Sequence, residues 1–349
     1  MGSYPVNEDT PLFLLLFPFS YFIFFFTLVL GTILSISSSS WFGAWIGLEL
    51  NLISFIPLIS IKINYYFSEA ALKYFLIQAL ASTIIIISRC LILFSHLTPY
   101  FLILISLLLK LGAAPFHFWF PQVIEGLSWL QAVILITIQK FAPIYLISYM
   151  INDSIFLHFT LISATISAIV GALRGLNTLK LRKLIAFSSI NHISWILVAI
   201  SLNQAIWLIY FVFYSAISIS VIAIFFILQI YNMSDLLNFK FSKSLFILSI
   251  PISLLSLGGL PPFSGFIPKW IIIQIILNNN IMLVLFFLLI SSLTTLYFYL
   301  RILTPFVLLS VPVLRFNIKA SPPQLLFFLS FFSFINIMGL WLPIPFFIY

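Results

Sequence analysis

Charge is what this sequence has least of. Lysine, arginine, aspartate and glutamate together make up 6% of its 349 residues, whereas a soluble surface carries roughly 25–35%. Hydrophobic residues make up 63% and the mean hydropathy is +1.25, which excludes a water-soluble globule and a disordered chain. Fifteen basic against seven acidic residues give a net charge of +8. These charges are too thinly spread for a nucleic-acid binder. Cysteine is almost absent: Cys90 alone closes no internal disulfide, builds no thiolate zinc centre and holds no iron–sulfur cluster. The sequence also lacks a G-x-x-x-x-G-K-[ST] phosphate loop, a G-x-G-x-x-G fingerprint and any His/Cys metal spacing, so neither a nucleotide-driven pump nor a metal site is expected. Glycine is scarce, at twelve beside forty-one phenylalanines, a tilt that fits an AT-rich genome such as an organelle's. What remains is an all-α, polytopic membrane protein.

A membrane-spanning helix needs about 20 apolar residues. Cutting the chain at polar and Pro/Gly clusters gives about eleven spans: 11–36, 40–60, 68–94, 98–116, 128–149, 155–173, 182–201, 204–230, 244–277, 281–304 and 323–346. The tail before the first contains Glu8 and Asp9 but no Lys or Arg, which is not the pattern of a cleavable signal. Loop charge is one-sided. Lys62, Arg174, Lys180, Arg182, Lys183, Lys240, Lys243, Arg315 and Lys319 all fall in even-numbered connections, and the odd ones near 38, 96, 152, 202 and 279 have none. A missed span would scramble that alternation, so it supports eleven and puts the N-terminus inside and Tyr349 outside. Two spans break in matched places. Gly112 and Pro115 interrupt the fourth, and Gly258, Gly259, Pro261 and Pro262 split the ninth. Each is fourth in a set of five, and an odd number of crossings inverts the second set, as in many ion-coupled transporters. The expected organisation is a tail at 1–10, one five-helix repeat over 11–149, an inverted repeat over 155–304, and a loop with a final helix over 305–349.

Five ionisable residues lie near mid-span: Glu49, Lys110, Lys140, His192 and Lys269. A charge at a helix centre costs about 2.5–3.5 kcal/mol, so Glu49 and three lysines left uncompensated would cost on the order of 12 kcal/mol, comparable with a domain's whole stability. They must be paired, hydrated or neutral, and buried lysines beside an adjustable carboxylate are the chemistry of a proton relay. The alternatives are a fixed ion pair for Glu49, packing roles for the lysines and an ordinary hydrogen-bonded interior histidine for His192. His117 belongs to the first break. Glu69 and Lys73, four apart, read as an interfacial helix pair. Arg89 is expected to snorkel outward, His96, Asp153 and His158 to be solvated, and the Trp and Tyr residues to be mainly interfacial anchors or lipid-facing bulk. The basic cluster at Lys180, Arg182 and Lys183 reads as a topogenic anchor and an anionic-lipid contact.

The strings WFGAWIGLELNLISFIPLI, EAALKYFLIQALAS, KLGAAPFHFWFPQV, QKFAPI, RKLIAFSSINHISWIL and GGLPPFSGFIPKW, in this order between Trp41 and Trp270, resemble the subunit 2 family of NADH dehydrogenase (NADH:ubiquinone oxidoreductase, respiratory complex I). These are antiporter-like membrane subunits, and eleven spans resemble the animal mitochondrial form. The resemblance implies that Glu49 tunes Lys110 in the first broken helix, that Lys140 is the central connecting lysine, that Lys269 serves the second broken helix, and that His192 bridges the halves. It further implies location in the mitochondrial inner membrane and proton translocation coupled to electron transfer from NADH to ubiquinone in other subunits. FMN, iron–sulfur clusters, NADH and ubiquinone would then belong to partner subunits, with subunit 4, subunit 4L and cardiolipin among the neighbours. A stand-alone cation/proton antiporter and a purely structural subunit remain the competing readings.

Overall fold

The computed structural model describes residues 19–60, 65–91, 97–151, 153–203, 205–238, 244–309, 330–331, 333–334 and 336–337. The 1–10 tail with Glu8 and Asp9, the start of the first span, Lys62, His96, Lys240, Lys243, Arg315, Lys319, most of the final span and Tyr349 lie outside the described residues.

Hydrocarbon offers backbone amides no water, so each crossing must satisfy its hydrogen bonds internally. The described residues accordingly form helices, with a single antiparallel bridge between Lys180 and Asn232 as their one β pairing. In order these are α1 (Phe19–Ser37), α2 (Trp41–Ile59), α3 (Tyr65–Leu91), α4 (Leu97–Leu111), α5 (Trp119–Gly126), α6 (Trp129–Ile136), α7 (Ile138–Met150), α8 (Ser154–Leu176), α9 (Leu181–Leu202), α10 (Ile206–Leu228), α11 (Met233–Asn238), α12 (Ser244–Gly258), α13 (Phe266–Asn278) and α14 (Met282–Leu309).

Two spans differ from the expectation. The fourth does not stop at 116: it resumes as α5 and runs to Gly126. The fifth is not continuous. Thr137 separates α6 from α7 with ψ −79°, its amide and hydroxyl both donating to the Val133 carbonyl at 2.9 and 2.7 Å. The ninth is α12 plus α13, split where the Gly and Pro residues stand.

The closest helix pairs are built on small residues. A Cβ on Gly31 of α1 would lie 2.9 Å from the Gly47 carbonyl oxygen of α2, and one on Gly171 of α8 would lie 2.8 Å from the Phe187 carbonyl oxygen of α9. Other neighbours recur in the same way: α3 packs on α4 and α5 as α10 packs on α12 and α13, and α7 meets α1 as α14 meets α8. α9 is the hub. It touches α5, α7, α8, α10, α13 and α14 and is buried along nearly its whole length.

The even-numbered connections converge on one face. Gln131 Nε2 donates to the Leu58 carbonyl at 2.7 Å, Leu181 N donates to the Tyr231 carbonyl at 3.0 Å, and Arg301 of α14 donates to the Leu176 carbonyl at 2.6 Å. The basic cluster has a partner that sequence reasoning missed: Glu125, at the end of α5, forms ion pairs with Lys180 and, at 2.6 Å, with Lys183. Arg182 completes the clamp by stacking over Tyr231 at 4.9 Å and donating to the Leu127 carbonyl. Burial pushes the Glu125 carboxyl up, but hydrogen bonds from Lys180 and Lys183 outweigh that and hold it below the ordinary carboxylate value. On the opposite side Arg89, Cys90, Asp153 and His158 are exposed, as expected of Arg89, Asp153 and His158. The aromatic expectation is corrected for six residues: Trp129, Trp195, Trp207, Tyr74, Tyr210 and Tyr299 are all at most 2% exposed, because helix-helix contact and not the lipid boundary claims them.

Candidate functional site

The same turn is built at both breaks. At the first, Ala113 N reaches back to the Leu108 carbonyl at 3.1 Å, Gly112 takes φ +70°, and Phe116 N donates to Ala113 O at 2.8 Å. At the second, Leu260 N reaches the Leu255 carbonyl at 3.3 Å, Gly259 takes φ +76°, and Phe263 N donates to Leu260 O at 2.8 Å. A positive φ is costly for any residue with a Cβ, which is why glycine stands at each. Each turn leaves helix-end carbonyls inside the bundle, and the two breaks cap them differently. Trp119 Nε1 donates to Leu109 O at 3.1 Å and Gln78 Nε2 to Lys110 O at 3.3 Å. At the second break Lys269 Nζ itself donates to Gly258 O at 2.7 Å, placing a cation at the negative end of α12.

The first lysine is thereby left unengaged by the cap. Lys110 is buried at 7% exposure, and the Glu49 carboxylate acts on it and on the Tyr74 hydroxyl electrostatically. Yet the two do not touch. The ion pairs among the described residues are Glu69–Lys73, Glu125–Lys180 and Glu125–Lys183, and Glu49 Oε2 is buried without a hydrogen-bond partner. A cavity of about 20 Å³ lies between Lys110 and Lys140, room for about one water. Its polar lining is Asn51, Tyr74, Gln78 and Gln139, none of which the sequence singled out.

Lys140, three residues past the Thr137 interruption, is 2% exposed and its Nζ has no hydrogen-bond partner. Aromatic faces hold it: Nζ is 4.2 Å from the Phe120 ring centroid of α5 and 6.0 Å from that of Tyr214 of α10. Tyr214 belongs to the second half, so the seam between halves is crossed here. The Tyr214 ring also meets His192, at 4.8 Å. His192 Nδ1 shares a 3.0 Å hydrogen bond with the Tyr210 hydroxyl, and the ring faces the Leu257 carbonyl and lies within electrostatic reach of Lys269 and Lys140. Lys269 closes the series, 6% exposed, with Nζ 5.9 Å from the Trp195 ring centroid. Asn336, in the described part of the eleventh span, docks on the same break by accepting from Ser264 N at 3.0 Å and donating to Ser220 Oγ at 3.1 Å.

The five mid-span residues thus fall on one line through both halves. The accessory candidates do not join it. His117 is buried with neither ring nitrogen in a closed hydrogen bond, its ring 4.1 Å from that of Phe118 and tilted by 33°, and the Phe118 ring carries the Arg174 guanidinium at 4.8 Å. Glu69 and Lys73 pair with each other at 2.7 Å and are each about 40% exposed, whereas Ala70 and Tyr74 of the same helix are buried.

With this geometry in place, comparison with known proteins agrees with it. The family model described as NADH:quinone oxidoreductase/Mrp antiporter, TM, matches residues 38–99 and 93–295. NADH-ubiquinone oxidoreductase chain 2 of Anopheles gambiae is 44% identical over 333 residues, spanning 91% of this chain and 95% of that one. The chain of Aedes aegypti of the same name is 45% identical over 334 residues, with the same coverage. Among solved structures, a chain of respiratory complex I from Thermus thermophilus superposes with a TM-score of 0.78 at 23% identity, covering 93% of this chain and 79% of that one. The chain belongs to the NADH:quinone oxidoreductase/Mrp antiporter transmembrane family, within its NADH-ubiquinone oxidoreductase chain 2 branch.

Proposed function

We propose that this chain is an antiporter-like membrane subunit of mitochondrial respiratory complex I that carries protons along Glu49, Lys110, Lys140, His192 and Lys269. The observation that carries the reading is the line itself: five ionisable groups, a water-sized cavity and two capped helix breaks inside an otherwise apolar bundle. Buried ammonium groups held by ring faces and carbonyls, with no carboxylate clamped onto them, suit proton exchange better than static bracing. Electron transfer from NADH to ubiquinone, with its FMN and iron–sulfur clusters, belongs to other subunits in this reading, and the whole assembly is the proton-translocating reductase. The recurring neighbour pattern of α1–α7 and α8–α14 and the twice-built turn support two inverted five-helix repeats. The basic face is the matrix side, so the N-terminus is in the matrix and Tyr349 in the intermembrane space. Subunits 4 and 4L are the proposed lateral neighbours, and Lys180 and Lys183 suit a cardiolipin headgroup.

The test is Lys110→Met and Lys269→Met in assembled complex, with assembly checked on native gels. Quinone-coupled turnover should fall while NADH oxidation by hydrophilic artificial acceptors stays intact. Loss with both acceptors in a fully assembled complex, or full coupled turnover at unchanged proton stoichiometry, refutes the reading.

A further inference from the structure

Beside the line of ionisable groups lies a second polar set that it does not use. Ser188 and Ser189 precede His192 on α9, about 6 and 4.5 Å nearer the basic face by helix rise. Each donates its own hydroxyl hydrogen three residues back, to Ile185 O at 2.8 Å and Ala186 O at 2.7 Å, which leaves its oxygen free to accept. A tyrosine from another helix faces each oxygen: Tyr214 of α10 is beside Ser189, and Tyr299 of α14 is beside Ser188. Each phenol interacts with its serine without reaching full hydrogen-bond geometry, although the two residues are only 3% and 1% exposed. Buried hydroxyls that fall short of a closed hydrogen bond are uncommon, and two of them beside serine oxygens suit proton exchange.

The cluster touches the line at one end, and at the other it stands two residues along α14 from a residue bonded to the basic face. The Tyr214 ring lies 4.8 Å from the His192 ring, tilted by 33°. A Cβ on Gly258, whose carbonyl holds Lys269, would lie 3.5 Å from Tyr299 Cδ2. Two residues beyond Tyr299, Arg301 grips the Leu176 and Thr178 carbonyls of the basic face at 2.6 and 3.2 Å.

We infer that Tyr299, Ser188, Ser189 and Tyr214 form a hydroxyl branch through which protons pass from the face of the basic connections to His192 and Lys269. The inference rests on the proton-carrying reading above and adds its point of entry. Each step is a hop in which an oxygen accepts a proton on a lone pair as its own O–H passes to the next oxygen. One O–H bond forms and one breaks, and no phenol is left ionised. Hydroxyl rotation or one bridging water closes the gap between phenol and serine.

The experiment uses assembled complex carrying Tyr299→Phe or Tyr214→Phe, which keeps the packed ring and deletes only the hydroxyl, beside Lys269→Met as reference. Quinone-coupled turnover should fall roughly tenfold, equivalent to 1.36 kcal/mol at one step, with an enlarged solvent deuterium isotope effect and unchanged NADH oxidation by hydrophilic acceptors. If a phenylalanine variant does not assemble, the double variant Ser188→Ala, Ser189→Ala carries the same expectation with both rings intact. Full turnover and an unaltered isotope effect in these variants, while Lys269→Met is slow, overturns the branch alone. Full turnover in Lys269→Met as well overturns the proton-carrying reading and the branch with it.

Discussion

Glu49 and Lys110 can be separated experimentally into a switch or a brace. The carboxylate and the ammonium interact without closing to an ion pair, and Glu49 Oε2 is buried without a partner. At an effective dielectric of 20, two unit charges attract by about 4 kcal/mol at 4 Å and about 2 kcal/mol at twice that distance. Opening or closing the pair therefore changes the hold on the lysine's proton by about 2 kcal/mol, roughly thirtyfold in equilibrium. That swing is of the size the proposed relay requires to move a proton toward the cavity and Lys140. Glu49→Gln should consequently slow quinone-coupled turnover about as much as Lys110→Met, and the double variant should be little worse than either, because both lesions break one relay. Glu49→Asp should keep part of the activity, its charge intact and its reach shorter. A brace gives the opposite pattern: each single variant strands a buried charge at a cost of about 3–5 kcal/mol and loses assembly, and the double variant recovers it. Assembled complex on native gels and coupled turnover, measured in all four variants, decide. Rescue of assembly by the double variant with normal turnover would falsify the switch.

Sidedness is testable with the native thiol: Cys90 should react with a membrane-impermeant maleimide only from the face opposite the basic connections, and Leu179→Cys, placed in a Cys90→Ser background, only from the basic face. Reaction of both from one side contradicts the span count. At the second break, Gly259→Ala must hold φ +76° and set a Cβ 2.8 Å from Lys269 Nζ, so it should destabilise the subunit by at least about 1–2 kcal/mol and slow coupled turnover. Gly258→Ala, which meets only an ordinary 3.5 Å contact with Tyr299, should be nearly silent, and equal damage by the two refutes the steric argument. Glu125→Gln should lower the thermal stability of the complex at neutral pH. Because the carboxyl is held below its ordinary value, its contribution is complete above the unfolded value of about 4.3 and is lost as pH falls through the folded one. The wild-type advantage should thus vanish in acid, and an advantage that grows in acid refutes the clamp.

The sequence announced those parts of the site that violate the rules of a lipid-facing helix. Lys110, Lys140 and Lys269 stand out because charge in an apolar run is expensive, and the two breaks stand out because Gly and Pro concentrate there. The groups that complete the site violate nothing. Gln78, Gln139, Tyr210 and Tyr214 are ordinary residues of a membrane helix, and only the packing of α3, α7 and α10 brings them to the lysines. Thr137 interrupts its helix without Gly or Pro at the position, so no local signal marks it. Glu125 drew no notice because its partners Lys180 and Lys183 are some 55 residues away, and the interior tryptophans were misplaced because aromatic side chains suit a packed core and a membrane boundary equally well.

The two breaks share a backbone turn but not an electrostatic design, and that difference bears on how a line of lysines acquires direction. At the first break the helix-end carbonyls are capped by neutral groups, Trp119 and Gln78, and the lysine answers to a carboxylate beyond contact distance. At the second the lysine is the cap, drawn to Gly258 O and the negative end of α12. Identical sites would favour neither side, and a proton would distribute evenly between them. Here Lys269 keeps a fixed carbonyl and helix-dipole partner, while Lys110 has only the more distant Glu49 carboxylate acting on it. In the proposed relay, a movement of one carboxylate on α2 tilts the balance between the two ends. The static cap at Lys269 gives that tilt something to work against.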